Sequence, residues 1–173
     1  MVNGFGKSVG LMQIDELGVL ETPIALTNTF SVPAVAQAQI KQAIELHPEI
    51  GRTWPTVNPL VFECNDGYLN DIQAFAVQSA HYAQAHDSAT SQFEQGSVGA
   101  GRGMSCFELK GGIGSASRLV PIAEHLFTVG ALVLANFGKR AQLTLKGQLV
   151  DSAKLSRALE PEKGSIIMIL ATD

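Results

Sequence analysis

Glu160-Pro161-Glu162-Lys163-Gly164-Ser165, with the apolar run Ile166-Ile167-Met168-Ile169-Leu170 directly behind it, is the stretch on which the reading of the chain turns. A charged, solvated loop delivers a glycine and then a serine to the first position of a strand that reads as buried. The Gly164–Ser165 peptide bond therefore falls where polar loop meets core. Glycine has no Cβ to shield its carbonyl and tolerates strained dihedrals, so the hydroxyl of the next residue can approach that carbonyl and replace the amide by an ester. Hydrolysis of the ester would leave Ser165 as a new amino terminus. Its α-amine, with a reference pKa of about 8, could then take the proton from its own hydroxyl, so that one residue supplies both nucleophile and base. The stretch looks like a self-cleavage site, but taken alone it reads rather as a plain turn into a core strand, and the rest of the chain has to speak for the cleavage.

Composition narrows the field around it. At 173 residues the chain fits one domain with a sizeable core. Its mean hydropathy of +0.16 and 16% charged residues exclude a disordered chain. A net charge of −4, with Lys and Arg dispersed rather than striped, gives no footprint for nucleic acid. Met1-Val2-Asn3-Gly4-Phe5-Gly6-Lys7 has neither an apolar leader core nor a small-residue cleavage site, and no later stretch is long enough for a membrane span. A soluble, cytoplasmic protein is the expectation. Cys64 and Cys106 each follow apolar runs and read as buried thiols rather than a bridge. His47, His81, His86 and His125 are scattered without ligand spacing, which argues against a structural zinc site.

Upstream of the Gly-Ser join the pattern alternates between strands and helices. Val9 to Ile14 suits a strand, and Ile24-Ala25-Leu26 leads into the hydroxyl and amide groups of Thr27-Asn28-Thr29. The segment from Pro33 to Leu46 has helical spacing, with Ser31 available as cap and Pro48 as stop. Leu60-Val61-Phe62 is a short strand that runs into Glu63-Cys64-Asn65-Asp66-Gly67, and Ser79 to Ser88 is a second helix. Met104 to Lys110 alternates as a strand between glycine-rich loops. Ser117 to Ile122 starts a further strand, Phe127 to Leu134 is strongly apolar, and Leu143 to Gln148 suggests a hairpin. Several strands with at least two helices indicate a layered α/β or α+β fold.

Three features carry candidate chemistry beside Ser165. Gly99-Ala100-Gly101-Arg102-Gly103 lacks the Gly-Lys-Ser/Thr of a phosphate loop and reads better as close backbone packing. Asn136 ends the most apolar run in the chain, where its amide either stabilises a developing oxyanion, a contribution of about 3 kcal/mol, or forms a turn before Phe137-Gly138. Glu63 ends another apolar run, where a carboxylate can receive a substrate ammonium or make an ordinary ion pair.

Asn3-Gly4-Phe5-Gly6, Glu21-Thr22-Pro23-Ile24-Ala25-Leu26-Thr27-Asn28-Thr29, Asp66-Gly67-Tyr68-Leu69-Asn70-Asp71, Gly101-Arg102-Gly103-Met104, Lys110-Gly111-Gly112-Ile113-Gly114-Ser115-Ala116-Ser117-Arg118, Ala135-Asn136-Phe137-Gly138 and Gly164-Ser165 follow one another along the chain. In this order they resemble the DmpA-type aminopeptidases, the L-aminopeptidase/D-esterase and β-peptidyl aminopeptidase group. The resemblance implies an α+β fold, an αββα sandwich of the DmpA/ornithine-acetyltransferase type similar to N-terminal-nucleophile hydrolases. It implies a precursor that cuts itself at Gly164–Ser165 and a mature serine aminopeptidase that releases N-terminal residues from short peptides, amides or esters. Ser165 matches the nucleophile, Asn136 the oxyanion-hole amide and Glu63 the carboxylate for the substrate amine. Asn65 stands in the substrate-binding region where some members carry a Tyr, so a phenol contact is not implied.

By the same resemblance no metal or organic cofactor is expected, nor a nucleic-acid or membrane partner, and the processed subunits form homo-oligomers. Residues 1–164 would be most of the α-subunit-like part and 165–173 the first strand of the nucleophile-bearing subunit, within a single domain. Family members begin earlier than Met1 and continue past Asp173 with a further catalytic Ser and Glu, so the chain reads as a fragment with little activity of its own. An ornithine-acetyltransferase-like acyltransferase, which normally carries Thr at the cleavage point, and a catalytically silent scaffold of the same fold are the alternatives.

Overall fold

The computed structural model of the chain describes residues 5–151 and 164–173. Asn3 and Gly4, and the charged loop Glu160-Pro161-Glu162-Lys163, lie outside the described residues. Two compact units emerge: residues up to Glu63 with Asp71–Phe93, and Cys64–Asn70 with the described part of Glu94–Asp173.

The first unit is built on helix α2, Val32–Leu46. Its apolar positions fall at helical spacing, Pro33 sits in the first turn where a missing N–H costs nothing, and His47 N closes the last turn on Ala43 O before Pro48. Ser31 does not cap it through its side chain; instead Asn28 Oδ1 accepts from Ser31 N at 3.2 Å and caps the single 3₁₀ turn Thr29–Ser31. Val32, Val35, Ala36 and Ala38 pack with Val61 of strand β2 (Leu60–Cys64) and Tyr82 of helix α3 (Ser79–Asp87). Strand β1, Ile24–Asn28, pairs with β2. Gln39, buried in the same face, donates from Nε2 to Pro23 O at 2.7 Å and accepts at Oε1 from Leu60 N at 2.9 Å. A buried amide satisfied this way ties the helix to β2 and to the residue that leads into β1.

The expected strand at Val9–Ile14 is not formed. Val9 alone bridges Val61, and the chain turns at Gly10 into the short helix α1, Leu11–Leu17. Gly10 has φ +92° and lies against Pro59 O, a placement that a residue with a Cβ cannot take. That turn converts the local alternation into a helix.

In the second unit, the dominant feature is a long hairpin of β5 (Gly112–Ile122) and β6 (His125–Asn136), with β9 (Ser165–Thr172) antiparallel on the other side of β6. The register runs from Gly112 opposite Ala135 to Ile122 opposite His125. Met104–Lys110 is not one strand. It forms a small hairpin, β3 (Ser105–Cys106) and β4 (Leu109–Lys110), around Phe107 and Glu108, both at positive φ. Two successive left-handed residues are what a two-residue hairpin turn demands. β7 (Thr144–Leu145) and β8 (Gln148–Leu149) form the hairpin expected there, turning at Lys146 and Gly147.

The apolar run of β9, expected to be buried, alternates instead. Ile166, Met168 and Leu170 face outward while the intervening residues are half-buried. Among the described residues β9 has β6 as its only strand neighbour, which makes it an edge strand.

Candidate active site

Antiparallel pairing places Asn136, the last residue of β6, directly opposite Ser165, the first of β9. Cross-strand partners carry their side chains on the same face of a sheet, with Cβ atoms about 5 Å apart. The amide and the hydroxyl are therefore neighbours by register, although 29 positions separate them in sequence. Asn136 is 8% exposed, and its side chain is fixed at both ends: Oδ1 accepts from Ser105 N at 3.0 Å, and Nδ2 donates to Asn65 O at 2.6 Å. A side-chain amide has two N–H groups, so among the described residues one donor remains after the Asn65 bond. The turn reading of Asn136 does not hold, since the residue closes a twelve-residue strand.

Gly164 lies against the end of β6. A Cβ built on it would come within 2.6 Å of Phe137 Cβ and 2.8 Å of Phe137 Cα. The residue before Ser165 is thus glycine for reasons of space, beside any effect on the reactivity of its carbonyl. Phe107 packs on Phe137 with ring centroids 5.3 Å apart, and Phe107 N donates to Phe137 O at 2.8 Å.

Asn65 contributes its backbone rather than its side chain. Its Oδ1 accepts from Gly67 N at 2.8 Å, an Asx turn that leads into Asp66–Asn70. Asp66 and Asn70 are joined at 2.8 Å and pack on Gly103, where a Cβ would collide with both. The glycine run Gly99–Gly103 is a 3₁₀ turn with Gly101 buried against the backbone of Gly96 and Gly112 and Gly103 against the Asp66 and Asn70 side chains, which agrees with the packing reading.

Glu63 stands in the first unit at the end of β2. Its Oε1 accepts from Lys7 N at 3.1 Å and its Oε2 from the buried Thr29 hydroxyl. The second unit thus brings together Ser165, Gly164, Asn136 and the Asn65 carbonyl, whereas Glu63 belongs to the other unit. Sequence reasoning missed Ser105 and Thr29. Ser105 acts through its backbone N–H, which any residue but proline supplies, so no signal existed for it. Thr29 was visible only as one of several hydroxyls at a strand end.

Lys110, whose Nζ is saturated by carbonyls, donates to Gly101 O at 2.8 Å, Met104 O at 3.2 Å and Gly111 O at 2.7 Å. Burial lowers its pKa below the ordinary lysine value. Burial also raises the Cys106 thiol, against a smaller opposing effect from its hydrogen bond with the Phe137 backbone. Among the described residues no group of three or more His, Cys, Asp or Glu side chains is placed to hold a metal ion, and no helix is long and apolar enough to cross a membrane.

The family model of peptidase family S58 matches residues 1–173. The chain belongs to peptidase family S58. Its S58 relatives include a β-peptidyl aminopeptidase, BapA, from Sphingosinicella microcystinivorans, 35% identical over 190 residues that cover 99% of this chain and 46% of the relative. A crystal structure from Pyrococcus horikoshii OT3 superposes with a TM-score of 0.93 at 50% identity, covering 99% of this chain and 48% of the other. The L-aminopeptidase D-Ala-esterase/amidase of Ochrobactrum anthropi, described as a prototype for the serine aminopeptidases and a new variant of the Ntn hydrolase fold, superposes at 0.88 with 35% identity, covering 99% and 48%. The DmpA-type fold expected from the motifs is therefore the fold of this S58 chain, which spans about half the length of the relatives it matches.

Proposed function

We propose that the protein is a self-processing serine aminopeptidase whose chain is cut between Gly164 and Ser165. The observation that carries this reading is the pairing of Asn136 with Ser165 at the mouth of the β6–β9 ladder. The Ser165 hydroxyl attacks the Gly164 carbonyl carbon, the C–N bond breaks, and the acyl group moves to oxygen while the nitrogen becomes an α-amine. Water then hydrolyses the ester, leaving a carboxylate on Gly164 and a free amine on Ser165. In the mature enzyme that amine serves as base for its own hydroxyl, and the remaining Asn136 N–H stabilises the oxygen that turns negative during attack.

Substrates in this reading are short peptides, amides or esters with a free amino terminus. Glu63 already accepts two hydrogen bonds, and a carboxylate has about four acceptor sites, so capacity for an ammonium is left. Ser165, rather than threonine, favours hydrolysis over the acyltransferase alternative. Processed subunits would assemble into homo-oligomers, which size-exclusion chromatography with light scattering reads directly.

Mass spectrometry of the full-length protein tests the central step. Two fragments that part before Ser165, and an intact Ser165→Ala chain, are expected. A chain that never splits would favour the silent scaffold. Hydrolysis of an amino-acid p-nitroanilide, compared with its N-acetylated form, tests Glu63; equal rates on both would remove its role.

A further inference from the structure

Lys110 holds one edge of a peptide unit whose other edge holds Asn136. Its ammonium donates to the carbonyl of Met104, and the N–H of that same Met104–Ser105 peptide donates to Asn136 Oδ1. Met104 is fully buried and Ser105 is 5% exposed, so the peptide lies in surroundings of low polarisability where a charge at one end is felt at the other. A lysine on the surface of a strand ordinarily keeps its rotamer freedom. Here the ammonium gives it up for three carbonyls at once. The Met104 carbonyl also accepts from Gly111 N at 2.8 Å, which fixes the plane of the peptide.

We infer that Lys110 is a positioning residue for the Asn136 amide. Its positive charge pulls electron density through the Met104–Ser105 peptide, which strengthens the Ser105 N–H as a donor to Asn136 Oδ1. The same polarisation passes through the Asn136 amide to Nδ2, and the amide opposite Ser165 becomes both better aimed and a stronger donor. No titration and no contact between Lys110 and substrate is required. The inference rests on the reading of Asn136 as the oxyanion donor.

The test is a double-mutant cycle in the full-length, processed protein, with an amino-acid p-nitroanilide as substrate. Lys110→Gln keeps a hydrogen-bond donor but removes the charge, and is expected to lower kcat about tenfold with KM within twofold. Lys110→Arg restores kcat to within about threefold. In an Asn136→Ala background, itself down by about a hundredfold or more, Lys110→Gln adds less than a further twofold, because the relay it feeds has been cut. The same tenfold loss in both backgrounds, or a loss confined to KM, would overturn the proposal while leaving Asn136 in its role. An Asn136→Ala protein with unchanged kcat would instead sink the oxyanion reading itself. If Lys110→Gln does not fold by circular dichroism, Lys110→Arg decides: a kcat as low as that of Asn136→Ala, in a folded protein, overturns the relay.

Discussion

Ser105 N donates to Asn136 Oδ1 at 3.0 Å across 31 residues, and this bond, with the one from Asn136 Nδ2 to Asn65 O, immobilises the buried amide beside Ser165. Truncation to alanine would leave a buried N–H and a carbonyl without partners, at about 1–3 kcal/mol each. Asn136→Ala should therefore lose about 2–6 kcal/mol of stability by urea denaturation in addition to the loss of turnover expected from the proposed function. A midpoint unchanged from the parent protein would show that water satisfies both groups.

Gly164 has no room for a side chain beside Phe137. Gly164→Ala must push its own backbone or Phe137 aside, so the carbonyl that the Ser165 hydroxyl would attack in the proposed self-cleavage is displaced. Cleavage before Ser165, followed by mass spectrometry over time, should slow by about tenfold or more, since misplacement of about 1 Å costs on the order of a hundredfold in oriented reactions. Gly164→Ala, Phe137→Ala should stay as slow, because alanine keeps the Cβ and Cα of residue 137 that the new methyl meets.

Arg140 and Glu108 form a largely buried pair at 3.8 Å, and Arg140 Nη2 donates to Glu108 O at 2.9 Å. The carbonyl belongs to the left-handed turn between β3 and β4, where Glu108 has φ +58°. Arg140→Met leaves that carboxylate buried without its partner and should cost about 3 kcal/mol in a urea titration. Glu108→Gln, which keeps the turn's backbone bond to Arg140, should cost less. Added salt should change either value little, because a pair this enclosed is poorly screened.

Cys106 titrates above a free thiol because burial disfavours its thiolate. The unfolded chain loses its thiol proton first, at about 8.5, so the stability held by the protonated form is complete below that pH. It declines as the pH rises through the folded value. Cys106→Ala should flatten the alkaline loss of stability. In a Cys64→Ala background, iodoacetamide should label native Cys106 more slowly at pH 8.5 than it labels the unfolded chain.

Local chemistry made α2 legible: apolar spacing, a proline in its first turn and a proline just past its end are signals carried by neighbouring residues. The Gly-Ser join and the strand behind it were legible for the same reason, as was the hairpin at Lys146-Gly147, where glycine supplies a left-handed turn. Val9 to Ile14 misled because its alternation is overruled at Gly10, which packs on Pro59, a residue 49 positions away. Met104 to Lys110 misled because Phe107 and Glu108 adopt left-handed conformations for which neither has a propensity, and the turn they form is held by Arg140 and by the Phe137 carbonyl.

The sequence by itself determined the family, through motifs in the order of one peptidase family, and which residues are candidates for its chemistry: a serine behind a glycine, an amide closing an apolar run and a carboxylate closing another. Tertiary structure alone decided that the serine and the amide face each other. Register between strands β6 and β9 is a property of their pairing, and a slip of one residue would put the two side chains on opposite faces. Tertiary structure also decided what holds the amide, since Ser105 and Asn65 act through backbone groups that every residue shares and that no pattern of side chains announces.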